Sequence, residues 1–232
     1  MKFIPRDIEP VLQKAAGSFP CVVLTGPRRA GKTFLLRKMF PKADYVLLED
    51  PAALARFEAD PAGFLDALTP PVILDEIQNL PRVLNYLRAR VDANPRRTGQ
   101  WLLTGSHESS LMRGMTESMA GRAAVLRLPP LALAEDDRVD LFLGGFPEVL
   151  ARPSAKDLWF SSYLQTYIER DVRSILQVQN LALFRRFLAL VASRHGQVLN
   201  KTDLAIPLGM SVPGISKWLD VLDATGHVLL LQ

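Results

Sequence analysis

Eight residues, Gly26-Pro27-Arg28-Arg29-Ala30-Gly31-Lys32-Thr33, satisfy the spacing G-x-x-x-x-G-K-[ST]. A polyphosphate ligand demands this spacing. The loop must wrap backbone N–H groups around phosphate oxygens, and its glycines permit the curvature and the close approach. A helix beginning at Lys32 points its positive N-terminal end at the same phosphates. The Lys32 ammonium then reaches the β- and γ-phosphates, and the Thr33 hydroxyl can ligate Mg2+.

An acidic pair points to the same chemistry. Val72-Ile73-Leu74 runs directly into Asp75-Glu76, an apolar strand ending in two carboxylates. Asp75 is expected beside the phosphate loop, holding the hydrated Mg2+, with Glu76 free to polarise a water for attack on the γ-phosphate. A second acid there favours hydrolysis over phosphoryl transfer to a small substrate. The next strand, Trp101–Leu103, ends in Thr104-Gly105-Ser106. A hydroxyl there would lie near the γ-phosphate, and Ser106 is the first choice, Thr104 the second. Asn200-Lys201-Thr202-Asp203 matches N-K-x-D, which GTPases use to read guanine. It falls beyond the sheet region, however, and the chain has Asp75-Glu76-Ile77-Gln78 where a GTPase needs Asp-x-x-Gly. Asn200 or Thr202 is expected to cap a helix instead, and the base to be adenine.

These residues need a scaffold that gathers strand ends. Short apolar runs at Cys21–Thr25, Tyr45–Leu48, Val72–Leu74, Trp101–Leu103 and Ala123–Leu128 read as strands. Segments at Lys32–Phe40 and Pro81–Val91 read as helical, and Pro51–Leu68 as helix and loop broken by Pro61. Alternating strands and helices imply an α/β fold, a P-loop NTPase with a mainly parallel sheet covered by helices on both faces. After Pro129-Pro130 only helices are expected: Lys156–Leu176, Ala182–Arg194, Thr202–Leu208 and Pro213–Ala224. The organisation is therefore an ATPase core over 1–130, a linker and helical lid over 131–180, and a winged-helix-like module over 181–232.

Composition narrows the class. The 232 residues are 48% hydrophobic and 22% charged, which excludes disorder and fibrous repeats. One cysteine, Cys21, excludes an intrachain disulfide and a cysteine-rich zinc site, and the three histidines are scattered. No apolar run suits a bilayer span and the N-terminus lacks a signal-peptide pattern, so a soluble, cytoplasmic protein is expected. The net charge is +4, and it sits in one place. Arg82, Arg88, Arg90, Arg96 and Arg97 stand between Pro81 and Gln100, opposed only by Asp92. The stretch reads either as a solvated helix face or as a footprint for DNA or another polyanion.

With these motifs placed, the chain resembles a family of bacterial and archaeal ATPases of the AAA+ superfamily, in which an ATPase core is fused to a C-terminal domain of unknown function. The matching segments are GPRRAGKT, YVLLEDP, VILDEIQ, WLLTGS, MAGRAAVLRLPPLALAE, GGFPE and YLQTYIERDVR. GGFPE followed by YIERDVR is the most specific pair. The resemblance implies ATP binding and slow hydrolysis. It also implies that Arg122 is a candidate to touch a phosphate, in cis or from a neighbouring subunit of a homo-oligomer. Arg170 and Arg173 are candidates for lid-side sensors or for ordinary ion pairs. Because a winged helix should continue past Gly226 into a β-hairpin, the chain is expected to be a piece of a longer protein.

The helical end offers a second class of function. Thr202–Leu208, the turn Gly209-Met210-Ser211 and Pro213–Ala224 have helix-turn-helix spacing, with Pro207 distorting the first helix. Yet the second helix carries only Lys217 against Asp220 and Asp223. That is poor equipment for phosphate contact and base reading. Internal packing or partner contact is favoured for it. Two readings follow: an ATP hydrolase coupled to an unknown output, or a nucleotide-gated DNA- or protein-binding module with negligible turnover.

Overall fold

The computed structural model describes residues 3–105, 118–167 and 180–230. They fall into two compact units, Met1–Pro153 and Ser154–Gln232. In the first unit five strands form one sheet: β1 (Cys21–Thr25), β2 (Asp44–Leu47), β3 (Val72–Asp75), β4 (Trp101–Gly105) and β5 (Ala123–Arg127). Their order is β2-β3-β4-β1-β5 and every pairing is parallel. A parallel sheet is stable only when both faces are covered, and its central strands β1, β3 and β4 are buried at every position.

Alternation divides the two faces. Cys21, Val23, Val72, Leu74, Trp101 and Leu103 pack with Phe57, Phe64, Leu84 and Leu87. These partners come from α3 (Pro51–Ala59), α4 (Pro61–Asp66) and α5 (Val83–Ala93). Val22, Leu24, Ile73 and Leu102 face the other way, against Leu12, Ala15 and Ala16 of α1 (Glu9–Ser18) and Leu35 and Leu36 of α2 (Lys32–Met39). The stretch Pro51–Leu68, expected to break at Pro61, does so: Asp60 ends α3 and its carboxylate accepts the Gly63 N–H at 2.9 Å to start α4. Helix α1 and the short α6 (Pro147–Ala151) carry little apolar signal and were not legible in the sequence.

The second unit holds α7 (Lys156–Tyr167), α8 (Leu181–Ser193), α9 (Lys201–Ala205) and α10 (Val212–Ala224). Phe184 and Phe187 of α8 meet Trp218 of α10 edge-on at 5.0 and 5.2 Å, so Trp218 is a core residue. Pro207 lies in a 3-10 turn over Ile206–Leu208 that ends at Gly209 in a left-handed conformation. The Asn200 side chain accepts the Thr202 and Asp203 N–H groups, capping α9. The N-K-x-D segment is thus a helix start. Among the described residues of this unit no strand is formed, so a wing is not part of what is seen. No helix of the described residues is long and apolar enough to cross a membrane.

Candidate active site

The loop from Gly26 to Gly31 joins β1 to α2 at the carboxyl end of the sheet, where open α/β sheets place their ligands. Gly26 has φ +144°, and a Cβ there would collide with the Leu128 carbonyl oxygen, so only glycine fits. Lys32 is buried, and its ammonium donates to the carbonyls of Gly26 at 3.0 Å and Pro27 at 2.9 Å. The ammonium is therefore held inside the loop it would share with phosphates.

Two further contacts brace the loop, and neither had a local sequence signal. Arg6 is buried and donates to the Ala30 carbonyl at 3.1 Å and the Pro129 carbonyl at 2.7 Å, while pairing with Glu135 at 3.0 Å. Glu135 also accepts the Asp7 and Ala132 N–H groups at 2.8 and 2.9 Å. The N-terminal segment, the phosphate loop and the PPLALAE segment are thereby tied together. Arg29, left-handed at φ +65°, places its guanidinium 3.2 Å from Glu148, so the GGFPE segment also touches the loop.

The strand pattern explains the acidic pair. Asp75 follows Ile73 by two and so shares the α1/α2 face. Thr104 pairs with Leu24 and Tyr45 pairs with Ile73, which puts both on that face as well. Three hydroxyls converge on the buried Asp75 carboxylate. Thr33 donates to it at 2.9–3.0 Å, Tyr45 donates to Oδ2 at 2.8 Å, and Thr104 donates to Oδ1. Burial, reinforced by this hydrogen bond and the Asp75 charge, pushes the Tyr45 phenol well above its usual range, so it remains a donor. Glu76 turns away in a left-handed conformation at φ +57°, its N–H donating to Thr104 Oγ1 at 3.2 Å. Its carboxylate accepts the Gln78 side-chain amide and lies 3.9 Å from the Arg28 guanidinium.

Lys32, Thr33, Asp75 and Glu76 are therefore brought together as their spacing implied, and Thr104 joins them. Ser106 lies outside the described residues, as do Arg170 and Arg173. Arg122 is not in this group. It precedes β5 at the amino end of the sheet, opposite the loop, and binds Asp92 at 2.5 and 3.1 Å. An in-cis phosphate contact by Arg122 is corrected by that placement. Its hydrogen bonds hold the Asp92 carboxyl below its ordinary value. The basic stretch is also less free than its sequence implied, since Arg82 pairs with Glu58, Arg88 with Asp92 and Arg90 with Asp66. Cys21 is fully buried in β1, which raises its thiol and leaves it a core residue.

The donor set suits one kind of metal. A threonine hydroxyl hydrogen-bonded to an aspartate offers hard oxygens, the preference of Mg2+. Among the described residues no group of three or more His, Cys, Asp or Glu forms a cage.

Comparisons with known proteins show which family the chain falls in. Residues 18–136 match the family model of an AAA domain, and residues 137–232 match a domain of unknown function, DUF8612. Uncharacterized proteins of Mycobacterium tuberculosis and Mycobacterium bovis are each 33% identical over 227 residues, covering 94% of this chain and 51% of theirs. The chain thus spans about half the length of the curated relatives it matches. A Walker-type ATPase of Pyrococcus abyssi shares the fold, with a TM-score of 0.53 at 14% identity over 98% of this chain and 91% of that one.

Proposed function

The chain belongs to the AAA+ ATPases, and from that premise we propose that it binds ATP with Mg2+ and hydrolyses it slowly to drive a conformational output. The observation that carries this reading is the Thr33–Asp75 hydrogen bond beneath a loop that already encloses Lys32, with Glu76 next in the chain. Gly26, Pro27, Arg28, Arg29, Ala30 and Gly31 present the loop to the phosphates. Lys32 exchanges its carbonyl partners for β- and γ-phosphate oxygens. Mg2+, when bound, would neutralise charge on those oxygens, with Thr33 and Asp75 as its protein side. Glu76 takes a proton from the attacking water as the water oxygen bonds to the γ-phosphorus, and the β–γ bridging oxygen leaves with its electron pair on ADP. Release of Glu76 from Gln78 and Arg28 precedes that step.

Lys32→Ala should abolish ATP binding, whereas Glu76→Gln should keep binding and lose turnover. Normal turnover by the Glu76 variant would refute its assignment as base. Arg122 can serve a phosphate only from a second copy of the chain. Turnover per chain should then rise with protein concentration, and Arg122→Ala should remove the rise.

The engagement of Glu76 by Gln78 and Arg28 favours a second reading, a nucleotide-gated binding module with negligible turnover. Steady-state ATPase measurements with and without DNA separate the two.

A further inference from the structure

Tyr45 stands on β2, an edge of the sheet, and is 39% exposed. A phenylalanine would pack there equally well, so the hydroxyl needs its own explanation. Among the described residues its hydroxyl makes one hydrogen bond, to Asp75 Oδ2 at 2.8 Å. The reach is diagonal. Tyr45 registers with Ile73, and Asp75 lies two residues further on β3 on the same face, a separation that a long aromatic side chain spans.

The ring is gripped from above. Arg37 follows Thr33 by four residues on α2, hence on the same side of that helix, and its guanidinium lies 4.9 Å from the ring centroid. Helix α2 therefore acts on Asp75 twice, through the Thr33 hydroxyl directly and through Arg37 by way of the Tyr45 ring. With Thr104 on Oδ1 and Tyr45 on Oδ2, both carboxylate oxygens are pinned from opposite neighbouring strands. A carboxylate so fixed cannot rotate and presents its remaining lone pairs in one direction.

We propose that Tyr45 is a positioning residue for Asp75, braced by Arg37, and that it sets how tightly the site takes a divalent cation with nucleotide. The assignment rests on the ATP–Mg2+ reading above. Partners of a metal-side carboxylate orient it, and their loss weakens cation binding without removing a ligand.

The test is equilibrium binding of a fluorescent ATP analogue to the full chain across a series of free Mg2+ concentrations, with an EDTA reference. Tyr45→Phe, which keeps the ring, should raise the half-maximal Mg2+ concentration about 10-fold while leaving affinity in EDTA within about 2-fold. Arg37→Gln should shift it in the same direction by less. An unchanged or lowered Mg2+ midpoint in Tyr45→Phe would overturn the assignment. So would an equal loss of affinity in EDTA, which would mark a general distortion of the loop. If the wild-type chain bound no analogue, or bound it without regard to Mg2+, the functional reading would fall and this assignment with it.

Discussion

Thr104 donates its hydroxyl to Asp75 and, through the same oxygen, accepts the backbone N–H of Glu76 at 3.2 Å. One fully buried side chain on β4 thus holds both acidic residues at the end of β3. Valine has the same shape and no hydroxyl. Thr104→Val should leave the Glu76 N–H unpaired and cost about 1–3 kcal/mol of stability in urea unfolding. Turnover should fall more than nucleotide affinity, because the backbone that aims Glu76 loses its anchor. Equal turnover in variant and wild type would remove Thr104 from the machinery.

The Arg6–Glu135 pair is the longest-range brace of the phosphate loop, and its side chains are 6% and 5% exposed. Removing one member leaves the other charged and buried. Arg6→Ala should therefore destabilise the chain by about 3–5 kcal/mol. Nucleotide affinity should drop as well, measured at a temperature where the variant remains folded, since the Ala30 carbonyl loses its donor. A variant that unfolds at the wild-type urea midpoint would contradict this.

Acid should find the same brace. Burial works to raise the Glu135 carboxyl, but the N–H groups of Ala132 and Asp7 and the Arg6 guanidinium outweigh it, and it sits below its ordinary 4.5. A depressed carboxyl contributes stability that is complete above the unfolded value and is lost as pH falls through the folded one. The Arg138 hydrogen bonds hold neighbouring Asp136 at about 2 against an ordinary 3.8. The wild-type urea midpoint should therefore be flat above Glu135's ordinary 4.5 and decline below it, the Asp136 share lasting to about 2. Glu135→Gln should lower the midpoint at neutral pH and flatten the first part of the decline. A decline of unchanged shape would show that other carboxylates govern acid unfolding.

The sheet was legible because each strand is a short apolar run closed by turn or acidic residues, and Val72–Asp75 and Trp101–Gly105 stand where those runs lie. The grouping of Lys32, Thr33, Asp75 and Glu76 was legible because the G-x-x-x-x-G-K-[ST] loop and the acidic strand end have fixed local spacing. Arg6 and Tyr45 were not. Their partners lie on other elements, and a hydrogen bond from Arg6 to Pro129 leaves no period or motif in the chain. Of the two readings of Arg122, only the in-cis one is set aside, by its place before β5 and its pairing with Asp92 on α5. The pairing of the arginine stretch was not legible because Glu58 and Asp66, which neutralise part of it, belong to α3 and α4.

That neutralisation makes a quantitative statement about DNA. If the stretch Arg82–Arg97 binds a polyanion, Arg82, Arg88 and Arg90 are already engaged by Glu58, Asp92 and Asp66. Arg96 and Arg97 are exposed and form no ion pair among the described residues. Two phosphate contacts predict a slope of about −2 for log affinity against log salt on duplex DNA, whereas five would give about −4.5. Charge reversal of Arg96 and Arg97 together should then remove the salt-dependent part entirely. A slope near the steeper value would mean that the three paired arginines abandon their acids for phosphate, and binding indifferent to salt would place the contact elsewhere on the chain.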